Sequence, residues 1–315
     1  PDLQLWRTWT LPDGSDLHLY RRHQVATRVE ALESPPDRVR CDRFTLPALV
    51  SPGTAVPFGY TCAGSGDAMR SGLLLMSWEP DSIDVSTPAW WHDRAIASGQ
   101  IVPESASTPG LRVREELALR VPANVPAGQY RLRATYLDLD TGRQYPIALP
   151  ETAIAVSAAA PALDAPQLDF VTQLRQLGAP LAHGDLDAVF AVVGRLNQYD
   201  AEQDYLKQAE RSLEFRLAKA PDAIDERYAL GLARVLQRKV RPALDTFAYL
   251  TEVDAENPYA WMYLGFINLY RWHPREAEVA LTQAHALAPD LPELNTLRGV
   301  AALMRLDVRR ARQLL

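Results

Sequence analysis

Six histidines, His18, His23, His92, His183, His273 and His285, are the first residues to weigh for chemistry. A catalytic zinc site of the H-E-x-x-H kind needs two imidazoles one helical turn apart, and a structural zinc site needs closely spaced Cys and His. Neither spacing occurs. His92 and Asp93 are neighbours, and neighbours on a strand point to opposite faces. Asp138-x-Asp140-x-Gly142 resembles the start of a calcium loop but has no downstream glutamate to complete it, and it reads as a hairpin turn. No G-x-S-x-G presents a nucleophilic serine. Gly64-Ser65-Gly66 lies between β-like segments rather than before a helix, so it reads as a polar loop and not a phosphate cradle. Glu115 and Glu116 alternate across a strand and do not face each other as an acid–base pair. The segment is therefore expected to carry no catalytic residue, no metal and no cofactor.

Aromatic rings offer binding chemistry instead. Sugar faces stack on rings in wet clefts, and Trp78, Trp90, Trp91, Tyr130 and Tyr136 are the candidates. The alternative is core packing, which suits Trp78 at the end of the apolar run LLLMSW. Trp90 and Trp91 sit in the polar context STPAWWHDR, which predicts at least one exposed ring and makes them the candidate carbohydrate contacts. Cys41 and Cys62 are the only cysteines. They predict either a disulfide in an oxidising compartment or two buried thiols.

The elements that would position these residues fall into two kinds. Residues 1–23 alternate apolar and polar on both sides of PDGSD, a β-hairpin signal. Residues 24–158 carry short alternating runs, Gln24–Ala31, Asp42–Leu46, Val56–Thr61, Gly72–Trp78, Arg112–Val121, Gln129–Leu137, Arg143–Leu149 and Thr152–Val156, separated by Gly/Pro turn clusters. That spacing predicts an antiparallel β-sandwich. Residues 159–166 read as a small, proline-punctuated linker. From 167 onward the pattern is helical: Leu168, Val171, Leu174 and Leu177 share one face, Gly178–Pro180 is expected to end that helix, and Asp185 is expected to cap the next. The fold class is thus α+β and multidomain, a β-sandwich followed by an all-α solenoid over 167–315. A net charge of −6 weighs against a nucleic-acid partner. The chain opens on Pro1 and closes on RRARQLL inside a helical pattern, so a longer parent protein is expected, with the solenoid truncated at its C-terminal end.

A step of 34 residues links Ala209, Ala243, Ala277 and Ala311, and likewise Gly231, Gly265 and Gly299. With Trp261, Leu264, Leu281, Ala284 and Pro289, the stretch Asn257–Leu291 resembles a tetratricopeptide repeat (TPR). The resemblance implies helix–turn–helix units whose first helices line a concave groove. By position that wall comprises Tyr228, Leu232, Val235, Tyr259, Met262, Tyr263, Phe266 and Tyr270, an aromatic set that suggests a docked protein or peptide partner. The alternative is that this face is covered from within.

A second resemblance concerns the first half. LPDGSDLHLYRR looks like the hairpin that follows the membrane portion of some bacterial glycosyltransferase-like proteins. Trp91, Asp93, Ile96, Gly99, Pro109–Gly110, Val121–Pro122, Gly128, Tyr130, Leu132, Tyr136, Asp138 and Thr141–Gly142 loosely follow the order of their soluble β module. It implies a non-catalytic, extracytoplasmic (periplasmic) tail of a membrane protein, attached to the membrane only through an upstream region. The alternative roles are a carbohydrate or lipid-linked-sugar binder and a cytoplasmic repeat protein.

Overall fold

The computed structural model describes residues 3–22, 26–81, 90–99, 109–149, 152–199 and 203–315, and it divides into two compact units, Pro1–Thr172 and Gln173–Leu315. His23 and Gln24 lie outside the described residues.

In the first unit, β1 (Leu3–Thr10) and β2 (Asp16–Arg22) form a hairpin and pair only with each other among the described strands. A four-stranded antiparallel sheet follows the order β3 (Ala26–Leu32), β10 (Gly110–Arg120), β6 (Ala55–Ser65), β4 (Arg40–Thr45). A second sheet follows the order β5 (Leu49–Val50), β13 (Ala153–Val156), β11 (Gly128–Asp138), β7 (Gly72–Pro80), β8 (Trp90–Trp91), with β12 (Gln144–Ile147) on β11 and β9 (Arg94–Ala95) on β7. The strand expectations fall on these elements because alternation is written plainly into the sequence. In β10, Leu111, Val113 and Leu117 turn inward while Arg112, Arg114 and Glu116 turn out. Phe58 and Tyr60 of the first sheet and Met76, Trp78 and Leu132 of the second belong to one buried apolar cluster. Cys41 and Cys62, opposed in the β4–β6 register, are joined as a disulfide.

Gly64-Ser65-Gly66 is not a loop. Ser65 Oγ accepts a hydrogen bond from Ala68 N at 3.3 Å and starts the short helix α1 (Gly66–Ser71). A serine followed by an aspartate in the first turn is an N-cap signal that the surrounding β pattern obscured. The Asp138–Gly142 segment is the hairpin turn the sequence indicated: Asp138 Oδ1 accepts from Asp140 N and Thr141 N, and Gly142 adopts φ +68°.

The second unit opens within α2 (Phe170–Arg175) and continues through α3 (Gly178–Ala182), α4 (Leu186–Tyr199), α5 (Asp204–Lys219), α6 (Ile224–Leu236), α7 (Val240–Val253), α8 (Pro258–Tyr270), α9 (Pro274–Leu287), α10 (Pro292–Met304) and α11 (Val308–Leu314). The helix carrying Val171 and Leu174 does end before Gly178, at Arg175, but Gly178–Pro180 is no loop: it opens α3. The helices α6, α8 and α10 start 34 residues apart, as do α7, α9 and α11. The pairs are therefore TPR-like on their own spacing. The turn inside each pair holds a residue in the left-handed region at the same step: Arg238 (φ 57°), Trp272 (φ 61°) and Leu306 (φ 63°).

The small residues mark where the paired helices approach most closely. A Cβ on Gly231 would lie 2.7 Å from the Phe247 ring, one on Gly265 2.6 Å from Leu281, and one on Gly299 2.6 Å from Leu315. Ala209, Ala243, Ala277 and Ala311 are all buried. Gly194 in α4 differs, since nothing lies within 4 Å of its Cβ position. The same substitution should therefore act in opposite directions at two sites. Gly194→Ala should stabilise by up to about 1 kcal/mol through helix propensity alone. Gly265→Ala gains the same propensity but must displace the buried Leu281, at a cost of about 1–3 kcal/mol, and should lower the urea midpoint of the chain.

Candidate functional site

In the helical unit, a cavity of about 340 Å³ opens over α6, α8 and α10. Leu232, Val235, Met262, Tyr263 and Phe266, five of the eight residues expected in the groove, line it. Among the described residues its only charged lining residue is Glu293. Phe266 is 45% exposed. The remaining three expected residues lie elsewhere. Tyr228 is fully buried, with its hydroxyl donating to Asp254 at 2.9 Å and its ring edge-on to Phe247 and Tyr263. Burial, followed by the hydrogen bond to Asp254, pushes its hydroxyl pKa well above the ordinary value. It is an interhelical packing residue and offers a partner nothing. Tyr259 lies over Gly184, where a Cβ would meet its ring at 2.1 Å. Tyr270 is 58% exposed but does not line the cavity.

The other part of the wall comes from residues that sequence reasoning passed over. Leu181 of α3 and Leu186 and Phe190 of α4 line the same cavity, and Phe190 is 57% exposed. Two hydrogen bonds hold the α3 backbone there: Tyr263 Oη donates to the Leu181 carbonyl at 2.8 Å, and Asn257 Nδ2 donates to the Ala182 carbonyl at 3.0 Å. A Cβ on Gly178 would strike the Asp225 carbonyl oxygen at 1.9 Å, so only glycine lets α3 lie this close to α6. The groove is thus partly filled by the unit's own chain, and Phe190 and Phe266 are the exposed aromatic residues on the wall of the open remainder.

In the β unit, the proposed aromatic platform is largely core. Trp90 is 5% exposed, stacked on Trp78 at 5.5 Å and tilted against Tyr130 at 5.0 Å. This corrects its assignment as a carbohydrate contact, because no face remains for a sugar. Trp91, one residue on, is half-buried. The cause is the β7–β8 pairing, which sets Trp90 opposite Trp78, and long-range pairing is invisible in a polar local context.

The same unit buries a charged network. Glu115 takes the inward position between Val113 and Leu117. Arg94 Nη2 donates to Glu115 Oε1 at 2.7 Å, Ala97 N donates to Oε2 at 2.8 Å, and the Tyr60 hydroxyl also meets this carboxyl. Arg94 further lies 3.9 Å from Asp169, which accepts from Thr172 N and Oγ1 and faces His92 at 3.5 Å. One arginine thus serves two carboxylates. Burial pushes the Glu115 carboxyl up from its ordinary 4.5 to about 8, the charge on Asp169 adds to this, and the Ala97 and Thr27 hydrogen bonds hold it back. The sequence did contain the signal, an acid at an inward position of an alternating strand.

The sign of this shift fixes a pH dependence. The folded state holds the Glu115 proton more tightly than the unfolded chain, so this contribution is complete below about pH 4.5 and fades as pH rises through about 8. Glu115→Gln mimics the protonated form. The melting temperature of the native chain relative to Glu115→Gln should therefore fall between about pH 5 and pH 8, measured by thermal melts in matched buffers. A constant difference across that range would contradict the assignment.

No protein-family model matches the chain, and no curated protein matches it. Among solved structures, one of MamA is similar at 16% identity over 46% of this chain and 87% of that one, with a TM-score of 0.33. A thermophilic TPR protein of Thermus thermophilus is similar at 18% identity over 46% of this chain and 87% of that one, with a TM-score of 0.32. Likenesses at TM-scores this low assign neither a family nor a role, and the TPR-like description of the helices stands on their 34-residue spacing.

Proposed function

We propose that the helical unit is a protein-interaction scaffold whose cleft takes an apolar, helix-forming segment of a partner protein. The observation that carries this reading is the pair of half-exposed phenylalanines, Phe190 and Phe266, on one apolar cavity of about 340 Å³. Aromatic anchors in a desolvated pocket supply most of the energy in interfaces of this kind. Glu293 at the same cavity favours a segment carrying a basic residue beside its apolar anchors. The alternative, a sugar platform at Trp90 and Trp91, loses one ring to the core and is not carried further.

Reading the first half as a β-sandwich is supported by the apolar cluster to which both sheets contribute, with strands that pair antiparallel except for β5, which runs parallel to β13. An extracytoplasmic location is supported by the Cys41–Cys62 disulfide, since such bonds persist in oxidising compartments. A glycosyltransferase-like membrane parent rests on the motif order in 1–23 and 90–148 alone, and in that setting the scaffold would hold a partner beside the parent without chemistry of its own.

A photo-crosslinking side chain placed at Phe266 should capture one discrete partner in the source cells, and the same group at Val279, which is 71% exposed on α9, should not. Phe266→Asp should weaken that partner at least about tenfold, or 1.4 kcal/mol, while leaving the melting temperature close to the native value. Equal adducts from both positions, none from either, or undiminished binding by Phe266→Asp would each reject the scaffold reading.

A further inference from the structure

The outward face of the four-stranded sheet concentrates arginine in a way that strand pairing does not favour. In the β10 register Arg114 lies opposite Arg28 of β3 on one side and Thr61 of β6 on the other, and Thr61 lies opposite Arg43 of β4. One rung therefore runs Arg28, Arg114, Thr61, Arg43 across four strands. In the next rung Arg112 lies opposite Glu30 on one side and Ala63 on the other. Like charges directly opposite on neighbouring strands repel, and sheets ordinarily alternate the sign. Arg114 is relieved by Glu116 at 2.8 Å. Among the described residues Arg28, Arg43 and Arg112 enter no ion pair.

Arg43 reaches this face through an irregularity. Cys41 points inward into the disulfide, and simple alternation would carry Arg43 inward after it. A register shift between Cys41 and Arg43 turns Arg43 outward and gives the half-buried position to Phe44. Bulges that re-aim one side chain are a recurrent device beside binding sites. The Cys41–Cys62 bond holds β4 to β6 at that point.

These side chains line a cleft of about 340 Å³ with Glu30, Asp42 and Thr61. Four guanidinium groups stand against Glu30 and Asp42 in the lining, and Glu116 on Arg114 brings the local excess to one positive charge, which favours an anionic group there. Guanidinium forks match phosphate oxygens two at a time, and the Thr61 hydroxyl adds a donor. Arg43, Thr61 and Arg114 also border a second cavity of about 360 Å³, whose lining adds Leu46, Pro47 and Pro166 as well as Glu116. We propose that this face is a binding site for an organic phosphate monoester, with the phosphate over the arginine rung and the organic group directed to the Leu46, Pro47 and Pro166 side of the adjoining cavity.

The probe is phenyl phosphate, titrated calorimetrically against the full oxidised chain at low ionic strength and about pH 8, where a monoester is doubly charged. Saturable binding is expected, tighter than for inorganic phosphate. Arg28→Gln, Arg43→Gln and Arg114→Gln should each weaken it at least about tenfold. Arg133→Gln, which alters an exposed arginine of β11 paired with Glu79, should leave it unchanged. Circular dichroism melts verify that each variant is folded, and Arg28→Gln and Arg43→Gln carry the test if Arg114→Gln is not. Flotation with phosphatidylglycerol vesicles distinguishes the source of phosphate: retention on vesicles without phenyl phosphate binding overturns a soluble monoester in favour of a lipid surface. Absence of saturable binding, equal loss in Arg133→Gln, or no preference over inorganic phosphate also overturns the proposal.

Discussion

Backbone approach at Gly231, Gly265 and Gly299 sets the spacing of the helical unit. Gly231 and Gly265 each face one bulky side chain of the following helix, and Gly299 faces Leu315 just past the end of α11, at distances no Cβ could share. Everything else in that unit follows from this constraint. Close pairing buries the alanines and leaves an apolar cavity lined by α6, α8 and α10 together with α3 and α4. The cleft is what remains, and Gly178 extends the rule by letting α3 close on α6.

The two units solve the problem of polar groups near a core differently. The helical unit keeps its cavity almost wholly apolar, so an occupant gains by losing water. The β unit buries Arg94, Glu115 and Asp169 together, and the inward acid Glu115 is met there by Arg94, the Ala97 N–H and the Tyr60 hydroxyl. Such a network ties the turn after β9, strand β10 and the segment before α2 to one geometry, and packing of apolar side chains alone would constrain their register less.

Much of this was legible beforehand, and the misses have physical causes. Strand positions were readable because a period of two survives in REELALRV and YRLRATYLDL. The repeat was readable because alanine and glycine recur at one step. Unreadable features depended on partners distant in sequence. Trp90 is buried by its pairing with Trp78, α3 occupies the groove through bonds to Asn257 and Tyr263, and the outward turn of Arg43 depends on an irregular register with β6. Tyr228 was misplaced for a related reason: its position in the repeat is on a first helix, but its hydroxyl is held by Asp254, beyond the end of the second. Glu115 was visible, though judged only against its neighbour Glu116 and not against Val113 and Leu117.

The turns at Arg238, Trp272 and Leu306 carry backbone strain at one recurring place in each repeat. A left-handed conformation costs a non-glycine residue about 1–2 kcal/mol, so none of these residues favours the turn it occupies. The glycine and alanine contacts on either side of each turn must outweigh that cost for the pair to stay closed. The step of 34 residues is thus a repeat of strain as well as of packing.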